Sequence, residues 1–220
     1  MKRPSIRSHS SHSSGFTLVE LLVVIGIIAI LAAVLFPAIS AAINAAKRSK
    51  AATTAGQIQT AALAYYTEYS LYPVPSTAAA SADYMIVDTD AADWKALLYG
   101  LCGNVNPYDS TTNPPGGACA NTRAITFLNL KSSDVDVNGG PKNPQPTGAS
   151  IYYNYAVDND YDNIVGDSGS AIGKLPDFVN SVPGSAIKYL ANGTTGGIAV
   201  WANCNGSNAT SSPNFWVHTY

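Results

Sequence analysis

Glu20 is the residue whose type and position raise the sharpest chemical question in this chain. It heads the apolar run Leu21-Leu22-Val23-Val24-Ile25-Gly26-Ile27-Ile28-Ala29-Ile30-Leu31-Ala32-Ala33-Val34-Leu35-Phe36. A lone carboxylate costs about 2.5–3.5 kcal/mol on insertion scales when it sits mid-bilayer, so an acid placed there is expected to meet a partner. A second set of acids, Asp158, Asp160 and Asp162, alternates with other residues in Asp158-Asn159-Asp160-Tyr161-Asp162-Asn163, with Asp167 as a further candidate. Alternate aspartates offer hard oxygen ligands at the spacing that opens a calcium loop, which makes Ca²⁺ the candidate cofactor. Asn163 and Gly169 stand where an EF-hand needs Gly and Glu, so this is not an EF-hand. A turn rich in Asp and Asn has the same pattern with no ion at all.

Other chemistry is limited by scarcity. His9 and His12 precede the apolar run, which leaves His218 as the one histidine beyond it. A Ser-His-Asp or Cys-His site would have to use that residue, and a site with several histidine ligands is excluded. Beside Trp216 and Tyr220, His218 reads as a surface residue of a terminal strand. Glutamates are confined to Glu20 and Glu68, and no phosphate-binding glycine motif occurs, so no catalytic residue is assigned and an enzyme is not expected. Cys102, Cys119 and Cys204 allow one disulfide in an oxidising compartment and leave one cysteine over. Cys102 with Cys119 is the nearer pair and would stabilise by about 3 kcal/mol in the chain-entropy model. Cys119 with Cys204, which would staple the last strand region, competes with it.

The elements that must position these groups follow from charge and periodicity. Residues 1–15 carry Lys2, Arg3 and Arg7, no acid and many serines, the pattern of a cytoplasmic leader ending at Gly15. Phe16 to Phe36 spans about 30 Å at ~1.5 Å per residue, one hydrocarbon thickness. Ile39, Ile43, Ala51, Ala55, Ile58, Ala62, Tyr65 and Tyr69 then draw one apolar stripe along a helix that runs to about Glu68 or Tyr69. Tyr72-Pro73-Val74-Pro75 ends it. Four regions result: a leader at 1–15, the transmembrane half of the helix at 16–37, an amphipathic upper half at 38–72 and a globular head at 73–220. Gly26 is a poor helix former and Pro37 cannot bond the carbonyl of Ala33, so the helix is weakest between them. Lys47, Arg48 and Lys50 read as a solvated face.

In the head, residues 90–100 read as a short helix with Trp94, Leu97, Leu98 and Leu101 on its apolar side. Strands are expected at 124–128, 150–157 and 198–201, with a weaker one at 215–220. The fold class is α+β, a long N-terminal helix packed by its upper half on a small antiparallel sheet. The net charge of -2 becomes more acidic once the leader cations are removed, so no general nucleic-acid binding is expected. Sparse basic residues with abundant Asp, Asn, Gly, Ser and Thr suit an exposed, loop-rich extracytoplasmic domain.

Gly15-Phe16-Thr17-Leu18-Val19-Glu20 and the run after it resemble the N-terminus of type IV prepilins and of the related pseudopilins of type II secretion. The resemblance implies a cut after Gly15 by a prepilin peptidase, which also methylates the new amine of Phe16. It places Glu20 on the family's acid and Pro37 on its frequent helix-kinking proline, in a region from Gly26 onward that loosens on assembly. The Phe16 ammonium of one subunit would pair with Glu20 of a neighbour and set the register between them. Implied partners are further copies of the chain in a helical filament, the peptidase and methyltransferase, an inner-membrane assembly platform and the membrane itself. The implied location is a single pass of the inner membrane, N-terminus cytoplasmic and head periplasmic, followed by a periplasmic pseudopilus or an extracellular pilus.

The head is similar to major pseudopilins in residues 121–128, 157–163 and 197–201, and that similarity implies Ca²⁺ in a head loop. It departs from them in lacking an Asp-Pro-Trp-Gly-Asn-Pro-Tyr stretch and in having Asn203, Asn205 and Asn208 where acids are usual. The Cys119–Cys204 pairing is the arrangement more like true type IV pilins. The expected function is therefore a structural filament subunit. The alternative is a minor pilin or adhesin whose head binds a surface, DNA or a secreted substrate.

Overall fold

The structure is a computed structural model that describes residues 15–78, 82–107, 113–144, 152–166, 193–204 and 216–220, without the side chains of Pro37 and Trp216. The leader up to residue 14, the start of the strand expected at 150–157, Asp167, Gly169, Asn205, Asn208 and Phe215 lie outside the described residues. The chain divides into two units, Met1–Ile43 and Asn44–Tyr220. Helix α1, Leu18–Tyr69, contributes to both.

In the first unit, α1 remains helical through Gly26 and Pro37. Among the described residues none covers its apolar side chains, with Leu18, Ile30, Val34 and Phe36 all at least two-thirds exposed. By length and composition α1 is able to cross a membrane, and its most apolar stretch has no buried residue.

In the second unit the expected stripe is the buried one. Ala51, Ala55, Ile58, Ala62 and Tyr65 are all buried in the main core. The helix stops after Tyr69, where Ser70 takes a positive φ of 55° and its amide donates to the Tyr66 carbonyl at 2.7 Å. Upper helix and sheet therefore share one core, an α+β arrangement.

The sheet is antiparallel with strand order β1-β2-β5-β6: β1 is Tyr84–Ile86, β2 Asn154–Val157, β5 Ile198–Asn203 and β6 Trp216–His218. Register follows from Tyr84 opposite Val157, Asn154 opposite Trp201, and Trp201 opposite His218. Side chains alternate between faces with a period of two. Tyr155, Val157, Ile198, Val200 and Ala202 enter the main core, while Ala156, Ala199 and Trp201 form a smaller cluster with Val165. With both faces covered, β2 and β5 are buried along their whole length. A separate pair, β3 (Ile164–Val165) and β4 (Thr194–Thr195), extends the chain beyond β2.

Helix α2 is Ala91–Leu101, with the Asp90 side chain accepting from the Asp93 amide at its start. Trp94, Leu97, Leu98 and Leu101 are buried as expected, and the Trp94 indole donates to the Tyr153 carbonyl at 2.8 Å.

One expectation is corrected. Residues 124–128 form no strand. Only Thr126 makes a bridge, to Cys102, and the amides of Phe127 and Leu128 both donate to the Leu101 carbonyl at the end of α2. Buried Asn121 bends this segment, its side chain donating to the carbonyls of Gly100 and Ile125 and accepting from the Ile125 amide. Ala124 takes a positive φ of 51°, which no strand contains. Lys50 is exposed, as expected of a solvated face, and its ammonium reaches Asp134 at 2.6 Å.

Candidate functional site

The N-terminal junction is built for access. Gly15, Phe16 and Thr17 precede the first helical residue, and Phe16 is 76% exposed. A Cβ added to Gly15 would meet nothing within 4 Å, so the fold itself does not require glycine there. The same holds at Gly26. Among the described residues nothing crowds either position.

Glu20 already has a partner in its own chain. Its Oε2 accepts the Thr17 amide at 2.8 Å and the Thr17 hydroxyl at 2.7 Å, while the Glu20 amide donates to Thr17 Oγ1 at 3.2 Å. This reciprocal capping box satisfies two otherwise orphaned amides at the start of α1. Thr17 was not anticipated as a site residue, although Thr-x-x-Glu before an apolar run is the signature that reveals it.

The aspartate loop is arranged differently from expectation. One ligand atom from each of Asp83, Asp158 and Asp160 falls within 4.8 Å of the others. Asp162 stands outside this trio, its Oδ1 accepting the Ile164 amide at 2.8 Å to close a local turn. Asp158 shapes the same turn by accepting the amides of Asp162 at 3.2 Å and Asn163 at 2.8 Å.

Asp83 had no signal in sequence, because it reaches the loop only through the pairing of β1 with β2. It is 4% exposed; one oxygen accepts the Gly166 amide at 2.6 Å, and Oδ1 is buried with no hydrogen-bond partner. Burial chiefly pushes its carboxyl up to about 6; the neighbouring charges of Asp160, Asp158 and Asp162 add to this, and the Gly166 amide opposes it. Burial likewise raises Asp158. A buried, unpartnered carboxylate oxygen beside two further carboxylates is chemistry that a hard divalent cation would suit, and Asp83, Asp158 and Asp160 are the residues that would hold it.

The cysteines do not form the expected Cys102–Cys119 disulfide, nor Cys119–Cys204. All three are free thiols. Cys119 lies against Gly100, whereas Cys102 is two positions further on at the C-cap of α2, and residues two apart on a helix do not share a face. Cys204 instead contacts Asn143 Oδ1 at 3.6 Å. Burial pushes Cys102 up to about 12, and Cys119 and Cys204 up to about 11. His218 is exposed on β6 with Nδ1 2.7 Å from the Tyr220 carbonyl. These surroundings activate no nucleophile.

No curated protein and no solved structure matches the chain. Residues 10–36 match the family described as prokaryotic N-terminal methylation motif, a segment that holds Gly15, Phe16, Thr17 and Glu20. That motif, leading into a helix long and apolar enough for a membrane, supports a type IV pilin-like protein of the prepilin type.

Proposed function

We propose that this chain is a structural subunit of a type IV pilus or a type II secretion pseudopilus, cut after Gly15 and assembled through its N-terminal helix. The observation that carries the reading is the first half of α1, an apolar surface on which the described residues pack nothing. Such a surface requires lipid before assembly and other helices afterwards. The leader cations hold the N-terminus in the cytoplasm and leave the second unit on the far side.

The cut removes those cations and creates an ammonium on Phe16. Within lipid or a helix bundle that charge needs an anion, and Glu20 of a neighbouring copy supplies it. Thr17 helps by holding the acid at the helix start until the amine arrives. An amine one position out of register would leave both charges unpaired in an apolar medium, so the pair selects the stagger between subunits.

Co-expression with a prepilin peptidase and an assembly platform tests the proposal. Sheared filaments should consist mainly of the processed chain. Filaments that form equally well without it, or that contain it only in traces, would contradict a structural role.

A further inference from the structure

An open pocket of about 260 Å³ lies in the second unit, away from the N-terminal junction. Tyr65, Leu71 and Tyr72 line it from the end of α1 and the residues just after, and Asn159 and Tyr161 line it from the loop that follows β2. No residue in its lining carries a charge. Asp158 and Asp160 alternate with Asn159 and Tyr161 along that loop, and their carboxylates converge on Asp83 instead of lining the pocket. A charged ligand would therefore exchange its water for a lining that holds no counter-charge, which is costly.

The aromatic wall of the pocket is held in place before any ligand arrives. The Tyr72 ring lies 4.4 Å from Tyr66 and 5.5 Å from Tyr161, at 19° to both, and its hydroxyl fills the space over Gly197 that a Cβ would otherwise occupy. The Tyr72 amide donates to the Tyr161 hydroxyl at 3.3 Å. Tyr161 takes a positive φ of 63°, which is uncommon for a residue with a side chain, and such backbone strain concentrates at binding sites. Yet Tyr161 is 45% exposed and Leu71 58% exposed, so two large apolar side chains of the lining remain in contact with water.

We propose that this pocket binds one neutral sugar ring, a pyranose unit of a glycan, with the C–H face of the ring against Tyr72 and Tyr161. A pyranose presents one face of C–H bonds and a rim of hydroxyls. The first suits the electron-rich face of a tyrosine ring, and the second suits a few polar groups at the edge of an otherwise apolar pocket, here the Asn159 amide and the Ser76 hydroxyl. The uncharged lining disfavours phosphorylated and sulfated ligands, and the volume suits a single ring better than a helix or a strand. Tyrosines already fixed by their neighbours cost little to order on binding. Every residue of the site belongs to the second unit, so it requires neither processing nor a filament.

The test uses the full chain in a detergent without a sugar headgroup, with its tyrosine rings followed by nuclear magnetic resonance. The probes are the methyl glycosides of glucose, galactose, mannose and N-acetylglucosamine. At least one should shift the Tyr161 ring signal, which the Tyr161→Ala spectrum identifies, and should saturate with a millimolar dissociation constant, as expected of a ligand this small. Tyr161→Phe keeps the ring and should stay within about threefold of wild type, whereas Tyr161→Ala should weaken binding by about tenfold or more. Ser76→Trp, at an exposed position, should fill the pocket and abolish binding. Cyclohexylmethanol, a ring without the hydroxyl rim, should bind about tenfold or more weakly than the best glycoside, because it leaves the polar groups unpaired. No saturable shift from any of the glycosides would overturn the site. Cyclohexylmethanol binding as tightly as the best glycoside would overturn the assignment to a sugar, and unchanged affinity in both Tyr161→Ala and Ser76→Trp would overturn its placement in this pocket.

Discussion

Thr17 and Glu20 satisfy each other before any second subunit is present, with both Thr17 donors ending on the same carboxylate oxygen at 2.8 and 2.7 Å. A carboxylate accepts up to about four hydrogen bonds, so this arrangement leaves Glu20 able to receive an amine as well. In the proposed assembly the acid has two successive tasks, starting its own helix and then meeting a neighbour.

Glu20→Ala removes the cap and the charge together. The variant should insert and be cut normally, since it removes an intramembrane charge, while filament yield falls by roughly tenfold or more, the factor that about 1.4 kcal/mol of lost pairing produces. Glu20→Gln keeps a hydrogen-bond acceptor without the charge and should fall between the two. Quantifying sheared filaments from cells with the variant as the only copy decides the matter. Wild-type yield from Glu20→Ala would remove Glu20 from assembly.

Gly100→Ala and Gly56→Ala should change stability in opposite directions. At Gly100 a Cβ would lie 2.7 Å from Cys119 Cβ and 2.9 Å from its carbonyl oxygen, and neither atom is the end of a flexible side chain. Overpacking of about 1–3 kcal/mol outweighs a helix-propensity gain of about 1 kcal/mol. At Gly56 the added Cβ meets nothing within 4 Å, so the propensity gain stands alone. Thermal melts of the detergent-solubilised full chain should show Gly100→Ala below wild type and Gly56→Ala above it.

The Lys50–Asp134 pair gives a pH dependence of known sign. The Lys50 ammonium holds the Asp134 carboxyl below its ordinary 3.8. A depressed acid contributes stability that is present above the unfolded value and is lost as pH falls through the folded one. Lys50 is more than half exposed, so the contribution is only ~0.2–1 kcal/mol. Denaturant unfolding at pH 7 and at pH 3 should show a smaller acid-induced loss for Asp134→Asn than for wild type. Equal losses would mean the pair is fully screened.

Three separate thiols with raised pKa values should react slowly in the folded chain and completely in the unfolded one. Alkylation of native protein near neutral pH should be sluggish, because little thiolate is present. After denaturation without reductant, mass measurement should count three modified cysteines. A single modified cysteine would mean that the other two are joined in a disulfide.

Much of the fold could be read from local pattern. The stripe from Ala51 to Tyr65 predicts which face of α1 is buried, and Pro73 and Pro75 predict that it ends, because both signals act within a few turns of the chain. Asp90 announces α2 for the same reason. The alternation at 124–128 misled because Asn121, a single buried amide, captures the neighbouring backbone groups before a sheet can. β1 is too short to produce a period, so neither Tyr84–Ile86 nor the role of Asp83 was visible. Asp158 and Asp160 were found by spacing, whereas Asp83 joins them only through strand register. Local chemistry was readable, and contacts between distant segments were not.

The most direct test of the account is the N-terminus of the chain in cells that contain a prepilin peptidase. Intact-mass and N-terminal peptide measurement on membranes should find a mature protein beginning at Phe16 with one methyl group on its amine. Gly15→Leu, whose added Cβ meets nothing within 4 Å, should leave the leader attached. A wild-type chain that begins anywhere other than Phe16, or a Gly15→Leu chain processed as efficiently as wild type, would contradict it.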